Sequence, residues 1–404
     1  MSVSPARRVA YEVLLRVFEQ EAYADRVFRT AAEGLDERER AFAQRLAYGA
    51  VQRVRTLDHA IETLGKRPVA KLDPPVRAAL RLGAYQLGYT ETAPHAAVNE
   101  SVELVRRARL ERAVAFTNAI MRRLAVGMRP LLDALPDGAL KESYPDWIWE
   151  TLVRDLGPTD ALALLRAMNE PLETVVRLVS GEPPLRAEPT DVPGAYRVER
   201  VDELAVAEGR IWPQSRGSQL AGLAVGAQDG ERVLDLCAAP GGKAGQLRGD
   251  VTAVELDPNR ANELRENLHT LGRDDVTVVE ADGTALPPEL AGFDRALVDA
   301  PCSGPGVLAQ RPDLRWRARP LPELQLALLR SAAERVRPGG TIVYSVCAVN
   351  ADENEAVVDA SGLRVLPLGD EWPQFRHPRR PELLLTLPHV HGTSGFFVAR
   401  LARD

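Results

Sequence analysis

Cysteine is scarce in this sequence of 404 residues, which has only three, at positions 237, 302 and 347. An odd number at wide spacing, with no C-x-x-C pair, excludes a disulfide framework and a zinc ribbon. There is no H-E-x-x-H motif either, so we expect no metal. Any chemistry of the three cysteines is therefore expected to use free thiols.

Long apolar runs are also missing, and no stretch approaches the ~18 consecutive apolar residues of a membrane span. The first residues include two arginines, but no apolar segment of a signal peptide follows them. We therefore expect a cytoplasmic protein that does not contact a membrane. The composition, 45% hydrophobic and 27% charged, is ordinary for a globular protein.

Lysine is the third scarce residue, with four in the chain, so the basic residues are mainly arginine. Residues 1–130 contain 22 Lys and Arg against 15 Asp and Glu, a net charge of +7. The remaining chain contains 29 against 42, a net charge of −13. Arginine suits bidentate phosphate contacts and stacking on bases. A genomic bias towards arginine would give the same excess of arginine over lysine. Nucleic-acid binding and genomic composition therefore both stay open as explanations of this preference.

Residues 1–130 are predicted to be all-helical, because apolar residues recur at helical spacing in segments such as ARRVAYEVLLRVFEQ. Pro74, Pro75 and Pro94 interrupt the pattern, which predicts five to seven helices in a compact bundle. The last helix has arginines at 106, 107, 109, 112, 122 and 123. They form either a solvated face or an RNA-contacting face, and the lack of an acidic counterweight favours RNA.

Two further segments follow. Prolines punctuate residues 131–210, with one helix near DALALLRAMN and strands at ETVVRLV and GAYRVERV, so we expect a small connecting α+β subdomain. From Glu231 the chain alternates strand and helix, which predicts an α/β fold with a Rossmann-like, doubly wound parallel sheet, and the domain that contains it is placed at 211–404. The late runs PELLLTL and SGFFVARL are expected to pair antiparallel at one edge of this sheet.

Residues capable of chemistry follow the predicted parallel strands at their carboxyl ends, where open α/β sheets bind ligands. Asp235 and Cys237 follow the first strand, Glu255 the second, Asp282 the third, Asp299 and Cys302 the fourth, and Cys347 the fifth. Any one cysteine could be a small buried residue. That explanation is weakest for Cys302 and Cys347 and stronger for Cys237.

The loop DLCAAPGGKAGQL after the first strand is glycine-rich, but it matches neither G-x-G-x-x-G nor G-x-x-x-x-G-K-[ST]. A nucleoside without a pyrophosphate is therefore favoured over a dinucleotide. Glu255 could accept hydrogen bonds from both ribose hydroxyls, and Asp282 could hold an adenine amino group. This set describes S-adenosyl-L-methionine, although doubly wound sheets bind many nucleotides.

Two thiols at one sheet edge fit the methylation of C5 of cytosine. That carbon becomes reactive once a thiolate has added to C6, and the thiolate must afterwards be expelled. A free thiol with a pKa of about 8.5 needs help to ionise, and Lys243 is the nearest cation by motif. Asp299 could hydrogen-bond the exocyclic amine of the base, while one cysteine attacks and the other aids release.

The motifs DLCAAPGGK, VDAPCSGPG with RPDLRWR, and YSVCAVNADENE closely resemble those of the RsmB/Sun (Fmu) family of ribosomal RNA cytosine-C5 methyltransferases. The segments RPVAKLDPPVRAALRLGAYQLGY and HAAVNESVELVRRA resemble the family's N-terminal domain, which is similar to the antitermination factor NusB. The resemblance covers nearly the whole chain and is loosest over 131–210. It implies S-adenosyl-L-methionine as cofactor and small-subunit (16S) ribosomal RNA as partner, with a NusB-like RNA-binding domain over 1–130 and a catalytic domain over 211–404.

The resemblance also implies roles for the cofactor residues. The methionine part of the cofactor is assigned to Cys237, Ala238, Ala239, Pro240, Gly241, Gly242 and Lys243. Glu255, which replaces the family's usual aspartate, is assigned to the ribose and Asp282 to the adenine. Asp299 is placed between cofactor and target base, and Arg260 matches a basic position near the cofactor.

In this family the attacking thiol follows the fifth strand, which here is Cys347, and the thiol of the PCSG motif, here Cys302, assists product release. Val346 and Ala348 replace the family's usual threonine and serine beside the nucleophile. Two alternatives stay open: the same chemistry on transfer RNA, and a NusB-like RNA-binding scaffold with little or no activity. We expect a monomer.

Overall fold

The N-terminal part of the chain is helical, as its apolar periodicity predicts. The computed structural model describes residues 3–404. The helices up to residue 170 are α1 (Pro5–Glu19), α2 (Ala24–Ala31), α3 (Glu37–Gln52), α4 (Val54–Gly65), α5 (Pro74–Tyr89), α6 (Pro94–Arg107), α7 (Glu111–Ala134), α8 (Ala139–Glu142), α9 (Asp146–Leu156) and α10 (Pro158–Ala167), with a 3₁₀ turn at Val69–Lys71.

Local signals in the sequence account for where these helices begin. Proline occupies the first turn of α1, α5 and α6, where its missing N–H is not needed. The Asp36 side chain caps α3 by accepting from Glu39 N. The predicted apolar faces are buried, including Val13, Leu46 and Leu57 at 0% exposure. The order of helices therefore follows the sequence pattern.

The end of α7 differs from the sequence prediction, in which the all-helical region ends at residue 130 and a connecting subdomain begins at 131. The helix runs through Pro130 to Ala134. Leu124 and Met128 on α7 belong to the buried core of the bundle. The burial of this apolar face offsets the backbone hydrogen bond that Pro130 cannot make.

Contacts divide the chain into two units that do not follow the sequence order strictly. The helical unit comprises the chain up to Glu170 together with Leu308–Arg317, and the second unit comprises Pro171–Val307 and Ala318–Asp404. The short helix α14 (Leu314–Arg317) therefore belongs to the helical unit. The division of the sequence into 1–130, 131–210 and 211–404 stays a prediction.

Arg315 of α14 is fully buried within the helical unit. Its guanidinium donates to Gln52 O at 3.1 Å, Ser143 O at 3.2 Å and the Tyr144 hydroxyl at 3.1 Å. It also lies 3.9 Å from the centre of the Tyr144 ring. The neighbouring Trp316 donates from its indole nitrogen to Val51 O at 2.7 Å. These contacts fix the segment 308–317 among the helices.

The second unit begins with a small antiparallel sheet in the order β2-β3-β1-β4. Its strands are β1 (Val175–Leu178), β2 (Glu188–Pro189), β3 (Ala195–Arg197) and β4 (Ile211–Pro213). The strands β1 and β3 fall within the two strand-like segments that the sequence predicts between residues 131 and 210. The short helix α11 (Glu203–Ala207) precedes β4.

The main sheet of this unit has the order β10-β12-β9-β8-β5-β6-β7, with β11 paired to β12. Its strands are β5 (Arg232–Leu236), β6 (Asp250–Glu255), β7 (Thr277–Glu280), β8 (Phe293–Asp299), β9 (Val336–Val346), β10 (Arg364–Leu366), β11 (Leu384–Thr386) and β12 (Phe396–Ala402). Strands β5 to β9 are parallel neighbours, which confirms the predicted α/β fold. The expected antiparallel pairing of β11 with β12 is also present.

The connections between strands carry the remaining helices and turns. These are α12 (Arg216–Val225), α13 (Pro258–Thr270), α15 (Pro322–Arg335), α16 (Glu355–Ser361) and α17 (Pro388–His391), with 3₁₀ turns at Ala244–Gln246 and Pro373–Phe375. Strand β10 was not predicted, because its three residues are too few to show a periodicity. In residues 3–404, no helix is long and apolar enough to cross a membrane.

We predict that Arg315→Met lowers the thermal unfolding midpoint of the helical unit by about 5 °C or more, because several buried oxygens lose their donor. Differential scanning calorimetry of the full chain measures this midpoint. Arg38→Met is the control, since Arg38 is an exposed residue of α3. Equal midpoints for the two variants would contradict an anchoring role for Arg315.

Candidate active site

Cys302 and Cys347 meet at the carboxyl ends of two neighbouring strands. Asp299 at the end of β8 pairs with Ser345 near the end of β9, so the residues that follow leave the sheet at the same level. The two sulfur atoms are 3.2 Å apart. Gly306 N donates to Cys347 O at 3.0 Å, which fixes the two segments to each other. The structure therefore brings the two predicted catalytic thiols into direct contact.

A close backbone approach supports the turn that follows Cys302. A side chain added at Gly306 would lie 2.1 Å from Gly395 O, and Gly395 N donates to Gly306 O at 2.8 Å. Only glycine permits the two segments to come this close. The close contact with Gly395 therefore explains why a glycine stands at the end of VDAPCSGPG.

Asp299 lies beside this thiol pair and has two partners. Lys243 Nζ donates to Asp299 Oδ2 at 2.8 Å, and Ser345 Oγ donates to Asp299 Oδ1 at 2.8 Å. The ammonium also lies 5.1 Å from the centre of the Phe396 ring. From its motif, Lys243 is expected to help a thiol to ionise. In the structure its hydrogen bond goes to the carboxylate of Asp299.

The surroundings of Cys302 favour the neutral thiol. The hydrogen bond with Cys347 is the largest cause that raises the pKa of Cys302 well above its ordinary range, followed by burial and by the charge of Glu353. Cys302 is half-buried. A thiol held in the neutral form can donate a hydrogen bond to a neighbouring sulfur but is a poor nucleophile. This electrostatic setting fits an assisting role better than an attacking one.

The loop after β5 contains the predicted cofactor residues in a tight turn. Cys237 has a φ of +60° and Gly241 a φ of +108°, both in the left-handed region. Gly241 N donates to Ala238 O at 2.9 Å, and Asn267 Nδ2 donates to Pro240 O at 2.8 Å. The loop is thereby closed on itself and fixed to α13.

The small antiparallel sheet also contacts this loop. Arg177 of β1 is 7% exposed and donates to Gly242 O at 3.3 Å, and burial lowers its pKa to about 10. A side chain added at Gly242 would lie 2.9 Å from Nε1 of Trp212 on β4. These two residues carry no recognisable motif, so the sequence analysis missed their contribution.

Glu255 at the end of β6 is 4% exposed, and its Oε2 atom has no hydrogen-bond partner in the part of the chain that the structure describes. The Arg260 guanidinium lies 3.5 Å from that atom and donates to Ala239 O at 2.8 Å. A buried acceptor without a donor is costly unless a ligand supplies one. The arrangement fits a ligand hydroxyl group at Glu255, as predicted for a ribose.

The other two acidic residues at the strand ends, Asp282 and Asp235, differ from each other in exposure and in the direction of their pKa shifts. Asp282 is exposed and its Oδ1 accepts from both the backbone and the hydroxyl of Thr284, which lower its pKa. Asp235 is 0% exposed, and burial together with the charge of Asp299 raises its pKa well above the usual range. Among residues 3–404, no group of three or more metal-ligating side chains is brought together.

Comparison with known proteins places this site in a family. Residues 223–402 match the family described as 16S rRNA methyltransferase RsmB/F, and residues 4–126 match the NusB family. A probable ribosomal RNA small subunit methyltransferase B of Synechocystis sp. is 32% identical over 98% of this chain and 99% of its own length. The chain belongs to the RsmB/F methyltransferase family. The predicted resemblance and the NusB-like N-terminal domain are thereby confirmed.

Further relatives of this RsmB/F methyltransferase match along the whole chain. A probable ribosomal RNA small subunit methyltransferase B of Bacillus subtilis is 29% identical over 100% of both chains. The crystal structure of PH0851 has a TM-score of 0.83 at 22% identity, over 100% of this chain and 99% of that chain. The fold therefore extends from the helical bundle to the last strand.

The Cys237 thiol is predicted to react slowly in the folded protein. Burial, followed by the charges of Glu255, Asp299 and Asp235, raises the pKa of Cys237 from 9.0 to about 12. At pH 8 its alkylation by iodoacetamide should be roughly 1000-fold slower in the native protein than in urea. Mass spectrometry of the labelled peptide measures both rates. Similar rates in the two conditions would contradict a buried, neutral thiol at this position.

Proposed function

We propose that this protein methylates C5 of a cytosine in small-subunit ribosomal RNA, using S-adenosyl-L-methionine, with Cys347 as the attacking thiol and Cys302 as the releasing thiol. The proposal depends mainly on the contact of the two sulfur atoms at 3.2 Å beside the ion pair of Lys243 and Asp299. The names of the relatives as small-subunit ribosomal RNA methyltransferases support the choice of substrate.

The cofactor residues of the proposal surround the turn after β5. S-adenosyl-L-methionine, when bound, supplies a methyl group to C5 of the base. The loop from Cys237 to Lys243 would hold its methionine part, Glu255 its ribose and Asp282 its adenine, with Arg260 close by. The Oε2 atom of buried Glu255 accepts no hydrogen bond, although the Arg260 guanidinium lies 3.5 Å away. It can therefore accept from a ribose hydroxyl, which supports this assignment.

The thiols act on the pyrimidine ring in two stages. The Cys347 thiolate forms a bond to C6, and the electron pair of the C5–C6 double bond makes C5 nucleophilic. Asp299 accepts a hydrogen bond from the exocyclic amine. Once C5 carries the methyl group, its proton leaves to water, the double bond forms again and the C6–S bond breaks. Cys302 donates a hydrogen bond to the departing Cys347 sulfur and stabilises it.

The helical unit would contribute contacts to RNA. Three of the six arginines named in the sequence analysis have acidic partners, contrary to that analysis: Arg106 pairs with Glu103 and Glu111, Arg107 with Glu103, and Arg112 with Asp73. Glu103 and Glu111 are close to their arginines in the chain and were overlooked, whereas Asp73 is distant and could not be paired from the sequence. Arg122 and Arg123 of α7 are exposed and form no ion pair among residues 3–404. These two arginine side chains are therefore available to contact phosphates.

A cytoplasmic location and a monomeric state stay predictions.

The two-thiol assignment predicts opposite effects for two substitutions. Cys347→Ser should abolish methyl transfer, because the hydroxyl group does not form the C6 adduct. Cys302→Ala should instead accumulate a covalent protein–RNA adduct, because expulsion of Cys347 is slowed. Tritiated S-adenosyl-L-methionine and ribosomal RNA, analysed on denaturing gels, measure both outcomes.

Glu334→Gln serves as the control, since this exposed residue of α15 has no part in the proposed chemistry. Full activity of Cys347→Ser would overturn the proposed chemistry. Methylation of transfer RNA in place of ribosomal RNA would retain the chemistry and change the substrate. Failure of the wild-type protein to bind S-adenosyl-L-methionine in calorimetry would favour an RNA-binding scaffold.

The role of the helical unit is best tested without truncation, because Val51 and Gln52 hold the segment that follows the catalytic turn. The double variant Arg122→Glu and Arg123→Glu should weaken RNA binding and lower the salt-dependence slope by about 1.5, since two phosphate contacts are lost. Fluorescence anisotropy at several salt concentrations measures both. Arg106→Glu is the control, and equal effects of the two changes would contradict specific contacts on α7.

A further inference from the structure

Glu353, which lies just before α16 and within the motif YSVCAVNADENE, is a buried carboxylate to which neither the resemblance nor the proposed chemistry gives a role. Its residue is 0% exposed. No Lys, Arg or His forms an ion pair with it in the described part of the chain. Burial of a carboxylate costs several kcal/mol unless hydrogen bonds or a counter-ion compensate. The structure compensates this charge with hydrogen bonds alone.

Five donors converge on the two oxygens of Glu353. Oε1 accepts from Ser303 N at 2.9 Å, Leu321 N at 3.1 Å and Gln325 Nε2 at 2.9 Å. Oε2 accepts from the Ser303 hydroxyl and from Asn350 Nδ2 at 2.9 Å. Both oxygens therefore act as acceptors in this network, three bonds reaching Oε1 and two reaching Oε2.

The donors lie beside the two catalytic thiols in the sequence. Ser303 follows Cys302 directly, and Asn350 is three residues beyond Cys347. Asn350 Oδ1 also accepts from Glu353 N at 3.0 Å. One carboxylate thus holds the backbone of the first cysteine segment and a side chain of the second.

A third connection fixes the strand that leads to Cys347. The Tyr344 hydroxyl of β9 donates to Glu353 O at 2.6 Å. Gln325 Nε2 of α15 is shared between Glu353 and Pro301 O, which it reaches at 2.9 Å. The carboxylate therefore lies at the centre of a network that reaches both strand ends and the helix between them.

We propose that Glu353 is a positioning residue, whose carboxylate fixes the Cys302 segment against the Cys347 segment. Apolar residues would fill the same space at lower cost, so a purely stabilising role does not account for a buried charge. The part played by the thiols in catalysis rests on the proposed function, whereas the effect of Glu353 on the thiols does not.

The charges around Cys302 determine whether removal of the Glu353 charge raises or lowers the pKa of Cys302. Cys347 contributes most to the raised pKa of Cys302, burial and Glu353 raise it further, and the backbone of Gly304 lowers it. Tyr344 also faces this thiol. Removal of the Glu353 charge should therefore lower the pKa of Cys302 and increase its thiolate fraction at a given pH.

The substitution Glu353→Gln tests this inference in the full-length protein. It keeps the volume of the side chain, but an amide nitrogen replaces one acceptor and faces two or three of the five donors. Alkylation of each cysteine by iodoacetamide, followed by mass spectrometry between pH 6 and 11, requires neither RNA nor cofactor. We expect the profile of Cys302 to move to lower pH, with an increase of about tenfold in rate at pH 8.

Glu355→Gln is the matched control, because it removes a carboxylate two residues away. Glu355 contacts His377 at 3.0 Å and Arg379 at 2.9 Å and contacts neither cysteine segment. Its variant should leave the three alkylation profiles unchanged. Equal acceleration of all three cysteines in Glu353→Gln, or an unchanged Cys302 profile, would overturn the proposal, since the residue would then be structural only.

A second variant covers the case in which Glu353→Gln does not fold. Asn350→Ala removes one donor and keeps the charge, so the Cys302 profile should stay in place. Turnover on RNA should fall about tenfold or more with KM within threefold of wild type, because the thiols are misplaced while binding is intact. An unchanged turnover would oppose a positioning role. A wild-type protein without methyl transfer, but with the expected alkylation shift in Glu353→Gln, would overturn the proposed function and leave this inference standing.

Discussion

The register between β8 and β9 is the constraint on which the candidate active site depends. Parallel strands end at a common level, so the pairing of Asp299 with Ser345 sends the following residues out of the sheet side by side. This register produces the hydrogen bond from Ser345 to Asp299 and the contact of Cys302 with Cys347. A shift of one residue would place these side chains on opposite faces and separate all of them.

The electrostatic setting of the site is acidic. Asp235, Glu255 and Asp299 surround the loop after β5, and they all raise the pKa of Cys237. Lys243 balances one of these charges through its contact with Asp299. Such a field opposes the formation of thiolates but attracts a cation such as a sulfonium. The same carboxylates therefore disfavour a thiolate at Cys237 and are compatible with the positively charged methyl donor of the proposed function.

Much of the candidate active site could be predicted from the sequence, because the strands and the residues at their ends follow a local pattern. The succession of parallel strands along the chain and the residues at their carboxyl ends could be predicted, because buried strands and turn residues are contiguous in the chain. The order of the strands within the sheet was not predicted. The contact of Lys243 with Asp299 in place of a thiol could not be predicted, since it depends on which long side chain reaches which group in space. The role of Glu353 was missed for a related reason: its donors come from three segments, which contain Ser303, Leu321 with Gln325, and Asn350.

The burial of Arg315 among helices of the N-terminal part has a consequence for biosynthesis. The indole of Trp316 and the carbonyl of Val51 are 265 positions apart in the chain, yet they belong to one compact unit. As the chain leaves the ribosome, most helical contacts can form early, but the cavity beside Tyr144 is filled only after more than three quarters of the protein has been made. The helical unit, which is translated first, is thus completed by a segment that is synthesised after most of the second unit. The final packing of the helical unit therefore has to wait for the synthesis of most of the second unit.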